Sequence, residues 1–295
     1  MIARYLTLGL VAAALAAPAQ AETLDLNTAE GVAKVMRKLQ CSLIDDKPVT
    51  YYWHGTAFGR VRGMADKVLF NVDGMNTRRC GTVRDDKGNY GYRLVSRELL
   101  LYRDPKTGEY LRTWDNPYTG QSVTVLHVAN DPVNSRPSYG MDREGKPMKF
   151  PGTILGEQVW MTSTIPLFYV NPLAGEYQKN IGGYYHATEM FNFFADRADL
   201  LDGKKDQANV RVAWQRMSEW LPWMEMSGRD GLFYVSTAGR MLDKFEDIPK
   251  HMRDEIAKNY PEYVTPPPLT DTRPNETSWT YFRKKVQPTT PPRAE

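Results

Sequence analysis

The sequence predicts a mostly β fold: an antiparallel, barrel-like (lipocalin-like) domain with one helix near its N-terminal end and another near its C-terminal end. Three observations lead there. From Val49 onward, short runs of aromatic and β-branched residues alternate with polar ones, the period of half-buried strands. The runs are separated by compact Gly-, Pro-, Asn- and Asp-bearing stretches such as "DDKGN", "PKTGEY" and "NPYTG", whose backbone preferences make hairpin turns. Helical periodicity occurs only before Val49 and after Ile248. Closely spaced short strands with tight turns are the pattern of a sandwich or a barrel.

Taken in order, residues 1–21 read as a signal peptide. Arg4 gives a positive start, and Leu6 to Ala17 is apolar but shorter than the ~20 residues of a membrane span. Ala19-Gln20-Ala21 is a small-residue cleavage site. The expected mature chain begins at Glu22, has no integral membrane segment, and is periplasmic or secreted. Leu26 to Leu39 reads as a helix, with Asn27 as cap and Glu30 three residues on. Val32, Val35, Met36 and Leu39 then recur at helical spacing.

The first strand, "VTYYWHGTAFGRVRG", puts Val49, Tyr51, Trp53 and Gly55 on one face. "KVLFNVDG" is the next, and "GTVRDDKGNYGYRLVSRELLLYRD" holds two more around the turn at "DDKGN". In "PKTGEY", Gly108 supplies the positive φ that a tight turn requires. "YLRTWDN" and "QSVTVLHVAND" follow, with His127 on the face of Val123 and Val125. "DPVNSRPSYGMDREGKPM" is a polar loop long enough to serve as a lid or rim. "GEQVWMTSTIPLFYV", "GGYYHATEMFNFFADRADLL", "NVRVAWQRMSEWLPWM" and "GLFYVSTAGRM" continue the strand pattern. Pro249 to Asn259 reads as a helix with Met252, Ile256 and Tyr260 on one stripe, ending against Pro261. Pro266 to Pro268 make an extended strap, and 287–295 is a polar tail. The organisation is one domain over 22–286.

The chain of 295 residues carries a formal charge of +3. Removing 1–21 takes away Arg4 and no acidic residue, leaving +2. So small and evenly spread a charge excludes a nucleic-acid partner and an anionic membrane surface. With 41% hydrophobic and 12% aromatic residues, a sizeable core is available. Cys41 and Cys80 are the two cysteines, and in an oxidising compartment they form a structural disulfide. It closes a loop of about forty residues, worth on the order of 3–4 kcal/mol.

The run "WQRMSEWLPWMEMSGRDGLFYVSTAGR", the helix entry "DIPKHMRDEI" and the strand "YYWHGTAFG" carry a family resemblance. With Trp214, Trp220, Trp223 and Gly231 in this order, the chain resembles a bacterial domain-of-unknown-function family, number 1838. The resemblance covers nearly the whole expected mature chain. It implies a single β-rich domain, exported or cytosolic, and carries over no catalytic residue.

Chemistry must be sought among few groups. The histidines are His54, His127, His186 and His251. No zinc-binding spacing joins them, and no cofactor or metal is expected from the pattern, although His54, His127 and His186 would make three ligands if strands converged. No G-x-S-x-G supports a serine nucleophile. In "YYHATE", a regular strand sends His186 and Glu189 to opposite faces, so only a bulge or helical turn would unite them. His186, Glu189 and Tyr185 are the candidate acid–base residues. The stronger feature is aromatic supply. Trp53, His127, Trp160, Trp214, Trp220 and Trp223 are candidate wall residues for a ligand cavity, with Arg216 as an anchor. The expected function is a periplasmic protein binding a small, largely apolar or aromatic molecule. The alternatives are an isomerase, lyase or hydratase using His186 on a hydrophobic substrate, and a structural envelope protein.

Overall fold

The computed structural model describes residues 23–170, 184–226 and 229–285. The expected signal peptide and polar tail lie outside them. The chain starts with helix α1, Ala29–Lys38. Its cap is Thr28, whose hydroxyl accepts from Gly31 N at 3.0 Å, one residue later than the Asn27 expected. Val32, Val35 and Leu39 are buried as the spacing requires. The sheet strands follow: β1 Val49–Arg60, β2 Lys67–Arg84, β3 Tyr90–Arg103, β4 Thr113–Asp115, β5 Ser122–Thr124 and β6 Val128–Asn130. Then come β7 Thr153–Leu155, β8 Gln158–Val170, β9 Tyr184–Asp196, helix α2 Arg197–Leu201, β10 Val210–Ser218 and β11 Leu232–Leu242. Helices α3, Lys250–Asn259, and α4, Ser278–Lys285, complete the fold. The two strands expected at 67–74 and from Gly81 are a single continuous β2, and α4 is an element the sequence pattern did not suggest.

Nine strands form one antiparallel sheet in the order β6-β3-β2-β1-β11-β10-β9-β8-β7, and β4–β5 form a separate hairpin. The mostly β, antiparallel expectation holds. Closure does not. Among the described residues no ladder joins β6 or β3 to β7 or β8, so the sheet is an open one and the barrel expectation is corrected. The physical reason lies at the β3 edge. The segment after β6 folds back along it: Val133, Ser135 and Ser138 donate to the carbonyls of Ser96, Leu94 and Tyr92 at 2.8–2.9 Å. Those backbone groups are satisfied before β8 can reach them.

The sheet nevertheless curls. Residues of β3 and β6 share a cleft with residues of β9 and β10, so the two flanks face each other across an interior. One face is the concave side: Tyr51, Trp53, Ala57, Phe70, Val72, Tyr102, Val212, Trp214, Phe233 and Val235 all belong to its core. The opposite, outer face of β1–β3 carries Met75, Leu99 and Leu101, covered by Met252 and Ile256 of α3. Cys41 and Cys80 are disulfide-bonded with Cα atoms 5.9 Å apart, tying the end of α1 to β2. Gly108 adopts φ +78° in the turn after β3, as its position requires.

Candidate functional site

Along one row across the sheet, the register sets Trp53 against Gly74, and Gly74 against Leu100. A Cβ on residue 74 would stand 1.9 Å from Trp53 Nε1. The pyrrole side of the Trp53 indole therefore lies against Gly74 of β2, a placement only glycine permits. On the facing wall, Trp214 of β10 and Phe191 of β9 are cross-strand partners, as are Arg216 and Glu189. Together with Glu98, Val128 and Asn130 these side chains line a recess of about 30 Å³ in the concave face. That space holds a water molecule or one small functional group. The recess shares Glu98 and Phe191 with a wider cleft of about 180 Å³. Asn76, Arg78, Ser96, Ser163, Ile165 and Phe193 line the latter.

A polar track runs along one wall. Arg78 Nε donates to Asn76 Oδ1 at 2.6 Å, and Asn76 Nδ2 donates to Glu98 Oε1 at 2.9 Å. The Arg78 guanidinium also sits 4.7 Å from the centroid of the Tyr51 ring. Across the interior, Arg216 pairs with Glu189 at 3.2 Å. Burial pushes the Glu98 carboxyl up to about 7, and the charge of Glu189 adds to the rise; Arg78, Asn76 and Arg216 oppose it. Desolvation likewise lowers Arg78. Among the described residues, Trp53 Nε1, Trp214 Nε1 and Asn130 Oδ1 are buried without a hydrogen-bond partner. Orphaned buried polar atoms cost about 1–3 kcal/mol each; Trp220 Nε1 and His127 Nε2 share that state in the packed end, and what distinguishes these three residues is that they line the recess.

Of the residues singled out in the sequence, Trp53, Trp214, Arg216 and Glu189 meet in this recess. The others do not. His186 is on the outer face with 61% of its side chain exposed, stacked on Phe168 at 4.8 Å and 3.9 Å from Glu219. β9 is regular there, so His186 and Glu189 point to opposite sides of the sheet. The side chain of Tyr185 lies outside the described residues. Trp160 is half-buried on the outer face, opposite Thr153 and Phe194. Trp223 lies within a 3₁₀ turn, Pro222–Met224, and Trp220 just before it. Trp223 packs against Phe70, Tyr102 and Trp114 at 5.5–6.1 Å, and Trp220 against Tyr118 at 5.4 Å. These rings fill one end of the interior, so the concave side is a packed core there, while the recess and the wider cleft adjoin Glu98. His127 belongs to that core rather than to a strand. Its Nδ1 accepts from Tyr102 N at 3.0 Å, the rings stack at 5.7 Å, and burial lowers its pKa to about 4. It is a neutral packed imidazole.

A second polar cluster on the outer face was missed by sequence reasoning. Asp73 of β2 is fully buried. Its Oδ1 accepts from Tyr52 at 2.8 Å and lies 3.0 Å from His54 Nδ1. Its Oδ2 accepts from Tyr110 at 3.0 Å and Arg103 at 3.1 Å, and lies 3.0 Å from His251 Nε2. Only the alternation Tyr52-x-His54 beside a lone aspartate hinted at it. Among the described residues no group of three or more His, Cys, Asp or Glu is arranged to hold a metal ion. His54, His127 and His186 occupy three separate places, the first and last on the outer face and His127 inside.

The fold and site define a class: a curled, open antiparallel sheet whose concave face holds a partly polar cleft. The chain matches the family model described as "Protein of unknown function (DUF1838)" over residues 46–286 and belongs to that family. No curated protein matches it. Among solved structures it has a weak likeness to the "Crystal structure of MucB in complex with MucA(peri)". That likeness has 10% identity and a TM-score of 0.15 and covers 73% of this chain and 94% of the other, too weak to carry an argument. No helix among the described residues is long and apolar enough to cross a membrane.

Proposed function

We propose that this chain is an exported, periplasmic or secreted, small-molecule binding protein whose largely apolar or aromatic ligand lies in the concave cleft. The observation that carries this reading is the pair of buried indole N–H groups, Trp53 Nε1 and Trp214 Nε1, left without partners beside an unfilled space. Trp220 Nε1 in the packed end is unpaired too, so what supports a guest is that Trp53 and Trp214 adjoin open room. Aromatic faces of Phe191 and Phe193 supply the apolar walls, and the signal-like 1–21 segment supports export.

A second reading, acid–base catalysis in the same cleft, is favoured by one observation: burial, with the charge of Glu189 across the recess, raises the Glu98 carboxyl. On this reading the acid–base role passes to Glu98, because His186 lies outside the cleft.

Native mass spectrometry of protein purified from its export compartment tests the binding reading. The expected result is a co-purifying organic mass that Trp214→Ala reduces and His186→Ala leaves in place. An empty protein that also fails to bind any member of a panel of aromatic compounds sinks it. Binding retained in Glu98→Gln together with loss of turnover would move the conclusion to the enzyme.

A further inference from the structure

We infer that the recess between Trp53, Trp214 and Glu98 receives a single carboxylate head, and that taking it up brings a proton onto Glu98. The inference rests on the binding reading above and names the chemistry of the guest.

The argument starts from what the recess offers. Trp53 and Trp214 are 6% and 5% exposed, and each has an indole N–H without a partner among the described residues. Indole is a donor only, so these two groups call for an acceptor. Glu98 Oε1 already accepts from Asn76. A proton on the other oxygen of Glu98 makes a third donor. Two indole residues and a protonated Glu98 in the lining of room for one small group suit a compact two-oxygen acceptor, and Asn130 Oδ1 is an unpaired acceptor in the same lining.

Charge points the same way. The ionisable groups around Glu98 are Arg78 from β2, Glu189 from β9 and Arg216 from β10. Arg216 is paired with Glu189 at 3.2 Å. With Glu98 neutral, the surround carries two cations and one anion, a net charge of +1 that matches one carboxylate. With Glu98 ionised, a second anion would be unmatched and poorly solvated. An ammonium head would find acceptors in Asn130 Oδ1 and the carboxyls, but it would leave the indole N–H groups unpaired and be repelled by Arg78 and Arg216. The bulk of the guest then extends along Phe191 and Phe193 into the wider cleft. The position of Glu98 near 7 places the proton exchange within the ordinary working range.

The test uses 4-phenylbutyrate, 4-phenylbutanol and 4-phenylbutylamine as probes of the full chain, by calorimetry and tryptophan fluorescence from pH 6 to 9. The acid, ionised throughout, is expected to bind tighter than the other two. Its affinity should fall about tenfold per pH unit above the Glu98 transition, the slope of one proton taken up. Calorimetry of the unaltered protein in two buffers of different ionisation enthalpy reads that proton directly, whether or not variants fold. Glu98→Gln should abolish the slope. A flat pH profile, or preference for the amine, overturns the carboxylate inference while leaving a binding cleft in place. Failure of all three probes to bind removes the cleft reading and this inference together.

Discussion

Five side chains end on the two oxygens of Asp73, a group with no exposed surface. Burial alone would push this carboxyl up, but Tyr52, His251, Arg103 and Tyr110 together hold it below the usual carboxylate range. The folded pKa is thus depressed. The stabilisation is present above the unfolded value and is lost as pH falls through the folded one. Replacing Asp73 with Asn leaves Arg103 facing a neutral group, and breaking a buried pair typically costs about 3–5 kcal/mol. Urea titration of Asp73→Asn is expected to show a loss of that order at pH 7. The loss should shrink on acidification, since the unaltered protein then surrenders the same interaction. An equal loss at pH 7 and pH 3 would show that the carboxylate charge is not what matters there.

The elements show why some local signals were readable and others were not. The apolar stripe of α1 and the Pro-bounded α3 follow from helical spacing, because each buries one face against the sheet. Helix α4 was not foreseen. Its only signals are Thr277, whose hydroxyl caps Thr280 N at 3.2 Å, and the three-residue spacing of Trp279 and Phe282, both buried. Two large side chains in a short basic segment do not outweigh the prolines before it. The disulfide was legible from cysteine count and compartment. It fastens the end of α1 to β2 over a separation of 39 residues. Replacing both cysteines with Ala is expected to lower stability by about 3–4 kcal/mol if chain entropy governs, read by denaturant unfolding. An unchanged midpoint would show that α1 docking through Tyr51, whose hydroxyl donates to Leu39 O at 2.7 Å, suffices.

At the scale of the whole molecule, the open edge has a measurable consequence. β8 pairs with β9 along its length, but with β7 only at Gln158, Val159 and Trp160. From Met161 to Phe168 its other side meets no strand among the described residues, and Pro166 marks it as an edge. Hydrogen exchange followed by mass spectrometry is expected to show outward-facing β8 amides exchanging far faster than those of β1, which is paired on both sides. Protection of β8 equal to that of β1 would mean that the sheet closes in solution. The same curvature without closure brings Glu98 on β3 near Glu189 on β9, two residues separated by most of the sheet.

By itself the sequence determined the mostly β class, most of the strands, helices α1 and α3, the disulfide and the family, because these follow from period, turn chemistry and counts of residue types that act locally. It also singled out Trp53, Trp214, Arg216 and Glu189, the first two from the aromatic supply of the strands and the last two from their charge beside it. It did not reveal Glu98, which reads as one more charge in "SRELLLY", or Asp73 beneath α3. Only the tertiary structure decided that His186 faces out, that Trp220, Trp223 and His127 fill the core, and that the sheet stays open. The physical reason is that a carboxyl's role depends on the solvent it loses and the charges it meets, and the curl of the sheet brings these from strands far apart in the chain.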